Sequence, residues 1–351
     1  VYSLREAEIR FQQALTIIDS TPKDVWQSYL PRTILGWMKL KHFNRAFRET
    51  MRFGEKYTQV LKQYGTDRDV SMYSFWLGYA QLQCGAFEQA GDLLKEGLRI
   101  AEEIGDLECI AFTTTGMAWL TWVSRSNQSC DAVPLLCNRA LEITRSHNIP
   151  YIATLTKLCL GVDRASRGLP FESREIGMEL VSAGRRNKDS FAVAAGLQLM
   201  AWADVTDEEY DSCIQNAQEA LLISPTPIDR LSARGALGAA KVLQGQSDEG
   251  YKLIKSVRDE ANDMGVFTVL LGVEIPFGAA IALKGDIAKG VDWIEEQISK
   301  YQLMKNDGMP IVGHIVLGEL YLGMLTREQK LPIRVLLQNM GFLFRSLPFA
   351  A

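Results

Sequence analysis

Residues 75–101 read FWLGYAQLQCGAFEQAGDLLKEGLRIA and form the clearest single unit of the chain. Gly78 allows two helices to approach closely, Gly85 ends the first helix, and Ala90 begins the packing face of the second. Glycine suits a helix end because it adopts the left-handed backbone conformation without the steric penalty of a Cβ atom. The stretch therefore predicts a hairpin of two helices.

The same pattern recurs at intervals of about forty residues. The spacing of Gly78 and Gly85 is repeated at 161/168, 238/245 and 278/285. One packing position of the second helix recurs every 37 to 44 residues, at Ala14, Phe53, Gly97, Ala140, Leu180, Ala220, Val257 and Gln297. Such a period is typical of solenoids, in which each unit buries its apolar face against its neighbours. We therefore predict an all-α solenoid of about eight helix–turn–helix repeats over residues 1–325, followed by an apolar helical segment over residues 326–351.

Three units depart from the pattern. In the first, Gly36 precedes Ala46 by ten residues, whereas twelve separate the equivalent positions in most units. Between Gly116 and Val133 there are 17, and we interpret the stretch SRSNQSCDAVP at 124–134 as an extended turn. In the fifth, Ala201 and Glu208 replace the two glycines, and the turn becomes the acidic stretch DVTDEEYD at 204–211. We interpret this stretch as a solvated turn and not as a metal site, because no further ligands accompany it.

The alternation resembles tetratricopeptide (TPR) repeats in a lengthened form, over about residues 3–325. The long period and the closing segments, GHIVLGELYLGML at 313–325 and IRVLLQNMGFLFRSLPFAA at 333–351, look like the C-terminal TPR region of bacterial class III adenylate cyclases with a P-loop ATPase domain. Transcription activators of the maltose-regulon type are similar. The resemblance implies a right-handed superhelix, and a regulatory role in a larger signalling protein. The partner would be a protein, a peptide, a small-molecule effector or the protein's own catalytic and ATPase domains.

The ends of the sequence favour the same interpretation. The chain opens at Val1 on a second helix without its first, and it closes on an apolar segment where a polar capping helix is usual. We expect it to be a piece of a longer protein.

Composition excludes several classes of function. The net charge is −4, from 38 basic and 42 acidic residues, which argues against a nucleic-acid partner. The apolar run at 266–283 contains Glu274 and Pro276 and falls in register with the repeats, so we predict a buried helix and no membrane insertion. Six cysteines occur without a C-x-x-C pair, which favours free thiols in a reducing, cytoplasmic compartment.

No motif in the sequence indicates catalysis. The chain lacks a P-loop, a G-x-G-x-x-G stretch and a G-x-S-x-G elbow. Its three histidines, His42, His147 and His314, have no metal-binding spacing, and we interpret each as structural or exposed. We therefore predict that this chain is not an enzyme and holds no cofactor or metal.

The first helices of the repeats would form a concave groove. The TPR resemblance implies ligand contacts three residues before, one after and four after the conserved small residue. Aromatic side chains at such positions suit a binding surface, although the same residues could fill the interior of a tightly wound array. The second half, with Gly235, Ala239 and Ala279, is predicted to be tightly packed and unreceptive. The transferred positions give these candidate ligand-binding residues: Trp37, Phe75, Tyr79, Met117, Gln198 and Trp202.

A second hypothesis is a stand-alone scaffold that mediates homo-oligomerisation. The apolar tail from Leu336 to Phe349 supports it, because an exposed patch of that kind binds a partner. The same tail could instead pack on further helices of a longer chain.

Overall fold

The computed structural model describes residues 4–20, 27–124, 131–304, 306 and 308–326. Within these ranges all regular secondary structure is helical, which confirms the predicted all-α fold class. Most of the predicted segment at 326–351 lies outside the described residues. The helices are α1 (Leu4–Ser20), α2 (Leu30–Phe43), α3 (Phe47–Tyr64), α4 (Asp67–Gln83), α5 (Phe87–Ile104), α6 (Leu107–Val123), α7 (Ala132–His147), α8 (Pro150–Ser166), α9 (Pro170–Asn187), α10 (Ser190–Thr206), α11 (Tyr210–Ile223), α12 (Pro227–Leu243), α13 (Ser247–Met264), α14 (Phe267–Leu283), α15 (Ile287–Leu303) and α16 (Gly308–Thr326).

The helices alternate as first and second members of hairpins. Helices α2 and α3 form the first pair, and the alternation continues to α14 and α15. Helix α1 corresponds to a second helix, and α16 to a first helix. The predicted hairpin at residues 75–101 is the end of α4 followed by most of α5.

Several first helices begin at side chains that cap the free backbone N–H groups. At α4, the Thr66 hydroxyl accepts a hydrogen bond from the backbone N–H of Asp69, and the Asp69 carboxylate accepts one from the N–H of Thr66. At α10, the Asp189 carboxylate accepts from the N–H of Phe191 at 3.0 Å. A cap of this kind contributes about 1 kcal/mol to helix stability, so these residues fix where the helices start.

The described turns that end the first helices α2, α4, α8, α10, α12 and α14 each pass through a left-handed residue. Gly85 has a φ of 88° after α4, and the glycines after α8, α12 and α14 share this conformation: Gly168, Gly245 and Gly285. The predicted glycine turns are therefore confirmed. Arg45 after α2 and Glu208 after α10 have φ values of 57° and 62° in the same turn, so the fold keeps this geometry where glycine is absent.

The register of α2 differs from the glycine spacing. Counting back seven residues from the left-handed Arg45 reaches Met38, whereas sequence reasoning placed the small residue at Gly36. Gly36 instead faces α1, where a Cβ atom on it would lie 2.4 Å from the ring of Phe11. Trp37 therefore lies one residue before Met38, which occupies the position of the small residue in α2, whereas the sequence pattern placed Trp37 one residue after that position.

First and second helices bury different fractions of their surface. In α5 the residues Ala90, Leu94, Gly97 and Ala101 are buried, a spacing that marks one face of an amphipathic helix. In α4 every residue from 73 to 83 is buried, because this helix packs against α2, α3, α5 and α6. The first helices are thus enclosed on most sides.

This burial explains the apolar run at 266–283. Most of it forms α14, whose inward residues include Leu271, Ile275 and Ala280. None of the described helices is both long and apolar enough to cross a membrane. The prediction of a buried repeat helix is confirmed.

The small residues of paired helices meet at the helix crossings. A Cβ atom on Gly290 would lie 2.6 Å from the carbonyl oxygen of Gly278, and one on Gly250 would lie 2.7 Å from that of Gly238. Real Cβ atoms do not approach oxygen so closely, so these backbones are in direct contact. Small residues at this spacing are a packing requirement of the hairpin.

The chain divides into two compact units. The first contains helices α1 to α7, the start of α8 as far as Leu160, and residues Asp263–Thr268. The second contains α8 from Gly161, helices α9 to α12, α13 as far as Asn262, and the chain from Val269 onward. The boundary falls inside a helix of the predicted continuous array, at Leu160/Gly161.

Candidate ligand-binding cleft

An open cleft lies in the second unit, at the ends of the first helices α12 and α14 and beside α16. Its volume is about 400 Å³. The lining residues are Val242, Leu243, Gly245, Ser247, Ala279, Ala282, Leu283, Ile287, Val316, Glu319, Leu320 and Gly323.

The cleft exists because its walls combine small residues with aliphatic ones. Ala279 and Gly323 leave space that no neighbouring side chain fills, and Leu243, Val316 and Leu320 supply apolar surface. Of the three residues expected to be tightly packed, Gly235 and Ala239 are enclosed, whereas Ala279 borders the cleft. Small side chains here leave room, whereas at the helix crossings they allow close contact.

The cleft coincides with positions at which the TPR resemblance implies ligand contacts. Ala279 and Glu319 each follow the small residue of their helix by one position, and Val242 and Ala282 follow theirs by four. The positional rule thus identifies part of the lining in α12, α14 and α16. The choice of aromatic residues in the first half did not point to this cleft.

The rim of the cleft carries uncompensated negative charge. Glu319 is exposed and makes no hydrogen bond or ion pair with the described residues. The carboxylate of Asp211 accepts a hydrogen bond of 2.7 Å from the Gln244 amide, which is neutral. Gln244 directly follows the lining residue Leu243.

The neighbouring lysines already have acidic partners. The Lys241 ammonium lies 2.9 Å from the Glu249 carboxylate, and the Lys284 ammonium lies 3.0 Å from that of Asp248. The charges of these two lysines are therefore balanced by their own partners.

The acidic turn after α10 adds to this charge. Burial raises the pKa of the Tyr210 phenol, and the negative charges of Glu208 and Glu319 raise it further. Tyr210 thus lies within the electrostatic reach of both carboxylates. The prediction of a solvated turn over 204–211 was wrong at Asp204, which is buried near the end of α10 because Arg174 binds it at 2.9 Å. Arg174 also binds Asp207 at 2.6 Å.

Trp202 and Gln198, the two candidates in the second unit, lie outside the lining of the cleft. Trp202 is half-buried, its indole N–H donates to the Ser232 hydroxyl at 3.4 Å, and its ring lies over Gly235 and Gly272. Cβ atoms on either glycine would lie 3.5 Å from the ring. The Gln198 amide is buried and donates to the backbone carbonyl of Asp229 at 2.8 Å, which ties α10 to α12.

The candidates in the first unit are mostly interior. Phe75 and Tyr79 are buried with their ring centroids 5.7 Å apart. Trp37 is also buried, against the ring of Phe53, and Met117 is half-buried. The structure brings Phe75 and Tyr79 together, in the interior-filling arrangement that was the alternative to ligand contact.

A buried histidine lies at the centre of this aromatic cluster. His42 contacts the rings of Phe75, Trp76 and Tyr79, and burial, followed by the charge of Arg45, lowers its pKa well below the usual value. The sequence analysis interpreted His42 as structural or exposed, and the structure shows that it is buried. No sequence signal marks it, because its neighbours come from other helices.

Comparisons with known proteins identify the architecture. No model of a protein family matches the sequence, and no curated protein matches it significantly. Two solved structures are similar over almost the whole chain. One is a Rap protein complexed with Competence and Sporulation Factor, with a TM-score of 0.56 and 11% identity over 91% of this chain and 94% of that one.

The other is NprR in complex with its cognate peptide NprX, with a TM-score of 0.56 and 13% identity over 92% of this chain and 99% of that one. The chain has a TPR-like fold. At these identities the likeness concerns the fold alone. The finer resemblance to the repeat region of adenylate cyclases is not shown by these structures.

The described part of the TPR-like array contains no group of three His, Cys, Asp or Glu side chains that could hold a metal ion. Its cysteines are free, and burial raises the pKa of the Cys109 and Cys213 thiols to about 12. Reactive thiolate is therefore scarce at these two positions at neutral pH.

Proposed function

We propose that this TPR-like array is a non-catalytic regulatory module that binds a peptide, or an extended segment of a protein, in the cleft between α12, α14 and α16. One observation carries the proposal: the open cleft lies at ligand-facing positions of successive repeats. The fold supports it, since one similar structure is a complex with a cognate peptide and another a complex with Competence and Sporulation Factor.

The size and walls of the cleft suit a short segment. A volume of about 400 Å³ lies at the lower end of the range for small-molecule sites. The aliphatic surface of Leu243, Val316 and Leu320 favours one or two apolar side chains. The open rim leaves room for the rest of an extended chain, so a peptide fits better than a compact polar effector.

Binding at this place would act on the curvature of the array. In a solenoid each repeat contacts only its neighbours, so small rotations between repeats add up. A ligand that touches three repeats stabilises one set of rotations over others. The ligand regulates an attached domain only to the extent that it binds one curvature of the array more tightly than another.

The proposal also covers the domain that this array regulates. The regulated partner would be another domain of the same signalling protein in the cytoplasm, of the cyclase or ATPase kind that the repeat sequence resembles. The full reading frame of the gene tests this directly. An upstream cyclase or P-loop ATPase domain supports it, and a frame of repeats alone contradicts it.

The binding experiment uses Gly323, which lines the cleft and has no described atom within 4 Å of an added Cβ. Gly323→Trp places an indole at the wall of the cleft, on a Cβ atom that meets no described atom. Gly318→Trp is the matched control, because Gly318 lies on the same helix, is equally unobstructed and does not line the cleft.

A mixture of random heptapeptides is passed over the immobilised wild-type chain and both variants. We expect the wild type and Gly318→Trp to retain the same peptides, and Gly323→Trp to lose them. Retention by Gly323→Trp, or no retention by the wild type, contradicts the proposal.

One observation favours a second candidate, a scaffold that assembles with a second copy. Helix α16 exposes Ile311, Ile315 and Leu322 on one face, with 58%, 56% and 59% of their surfaces accessible. An apolar stripe of this kind favours association. Light scattering of Ile311→Asp with Ile315→Asp tests it: a lower mass than wild type supports assembly through this face, and an unchanged mass excludes it.

A further inference from the structure

Glu319 is the charged residue in the cleft lining, so it can discriminate among ligands by their charge. It lines the apolar cavity, is exposed, and makes no hydrogen bond or ion pair with the described residues. A carboxylate beside aliphatic walls offers two kinds of contact within one site. A ligand that satisfies both carries a cation next to an apolar group.

The surroundings reinforce the negative charge of Glu319. Glu208, whose charge acts on the same Tyr210 phenol as that of Glu319, also makes no ion pair among the described residues. The Asp211 carboxylate accepts a hydrogen bond from the neutral amide of Gln244, the residue that follows Leu243 of the lining. These two carboxylates add to the negative charge on this side of the cleft.

Helix ends do not set the sign of this field. Leu243 and Leu283 end α12 and α14, whereas Ser247 and Ile287 begin α13 and α15, and all four line the cleft. The partial negative charge of the two C-terminal ends is offset by the partial positive charge of the two N-terminal ends. The charged side chains therefore decide which ligands the cleft favours.

The two lysines directly adjacent in sequence to the lining already have acidic partners. Lys241 is paired with Glu249, and Lys284 is paired with Asp248. An acidic ligand would have to break these pairs and would still face Glu319. A neutral apolar ligand would leave the carboxylate without a partner.

We propose that the cleft selects peptides that place a lysine or arginine side chain beside an aliphatic one, with Glu319 as the group that recognises the cation. This inference rests on the proposed function, because it specifies the ligand of the same cleft. Charge complementarity of this kind sets the choice of partner more than the overall affinity.

The test uses three heptapeptide pools. Each pool has leucine at its third position, mixed residues elsewhere, and either lysine, glutamate or glutamine at its fourth position. Retention on the immobilised chain is measured for wild type, Glu319→Gln and Glu319→Lys at low and high salt. Glu296→Lys is the charge-matched control, because Glu296 is exposed on α15 and does not line the cleft.

We expect the wild type to retain the lysine pool over the glutamate pool by up to about fivefold at low salt, with a smaller ratio at high salt. Glu319→Gln should remove most of this preference, and Glu319→Lys should reverse it. Glu296→Lys should leave it unchanged.

Two results would overturn the inference while leaving the proposed function intact. The first is equal retention of all pools by the wild type, with retention still lost in Gly323→Trp. The second is an equal effect of Glu319→Lys and Glu296→Lys, which would mean that only overall charge matters. Failure of the wild type to retain any pool would overturn the proposed function itself, and the inference with it.

Discussion

The imidazole Nε2 of His42 lies 2.5 Å from the phenolic oxygen of Tyr151, and the two groups share a hydrogen bond. The histidine is fully buried, and its Nδ1 has no hydrogen-bond partner among the described residues. A charged imidazolium would need a second acceptor at Nδ1 and would face the positive charge of Arg45. The neutral ring is therefore the form that this cluster accepts.

This relationship predicts a loss of stability in mild acid. The folded pKa of His42 is lowered, so below the unfolded value near 6.5 the unfolded chain binds a proton that the folded chain does not. Stability should fall as the pH drops below that value, by at most about 1.4 kcal/mol per pH unit from this group.

Urea unfolding at pH 7.5 and pH 5.5 measures the effect. His42→Gln cannot titrate but can still donate a hydrogen bond to Tyr151, so it should lose less stability between the two pH values than the wild type. Equal losses in both proteins would show that His42 does not contribute to the acid sensitivity.

A buried ion pair predicts a second, larger effect. Glu274 lies in the apolar helix α14, and the Nε–H of Arg258 donates to its two carboxylate oxygens at 3.0 and 3.1 Å. The guanidinium also faces the rings of Phe277 and Trp293, at 5.0 and 4.5 Å from their centroids. Burial nevertheless raises the pKa of Glu274, so the carboxylate depends on its partner to stay charged.

Arg258→Met should therefore destabilise the chain by about 3–5 kcal/mol at pH 7, because it leaves an unpaired charge in the interior. The double variant Arg258→Met with Glu274→Leu should recover most of that loss. Thermal unfolding and urea titration compare the two. A double variant as unstable as the single one would mean that packing on the rings, and not the charge, decides the effect.

The sequence predicted the local geometry well because that geometry depends on residues close together in the chain. The glycine spacing located the left-handed turns at Gly85 and Gly245, and the forty-residue period located the hairpins. In α2 the prediction was two residues out of register. There the turn uses Arg45, and the sequence contains no glycine to mark it.

The site was harder to predict because it depends on contacts between repeats. Phe75 was predicted to contact a ligand because aromatic side chains suit binding surfaces, yet rings on neighbouring helices bury it. The cleft is bordered by the small residues Ala279 and Gly323 from two different helices, and no single repeat contains that information. Likewise, the ion pairs of Lys241 and Lys284 with Glu249 and Asp248 join the ends of α12 and α14 to α13, and the sequence does not show these residues to be neighbours.

The helix crossings predict opposite results for two glycines. At Gly290, an added Cβ would lie 2.6 Å from the carbonyl oxygen of Gly278 and from the backbone nitrogen of Ala282. Gly290→Ala should force the helices apart and cost about 1–3 kcal/mol. Gly318→Ala, on α16, meets no atom within 4 Å and should be neutral or stabilising by up to about 1 kcal/mol.

Denaturant unfolding of the two variants, at matched protein concentration, checks this contrast. A loss at Gly290→Ala with no loss at Gly318→Ala supports direct backbone contact at the crossing. Equal changes would mean that the crossing has enough freedom to admit a methyl group.

Substitution of Trp202 distinguishes the cleft from the predicted aromatic groove as the binding surface. Its ring lies over Gly235 and Gly272, so Trp202→Ala uncovers two helix backbones and should lower stability by about 2–4 kcal/mol. The cleft is lined by other residues, however, so a folded Trp202→Ala protein should retain heptapeptides as the wild type does.

Trp202→Phe, which keeps a ring over the glycines, controls for the loss of packing. If Trp202→Ala loses the peptides while Trp202→Phe and the melting curve show a folded array, the ligand contacts the indole and the binding surface extends beyond the cleft. If only Gly323→Trp loses them, the cleft alone holds the peptide, and the role of Trp202 is to cover the glycines of α12 and α14.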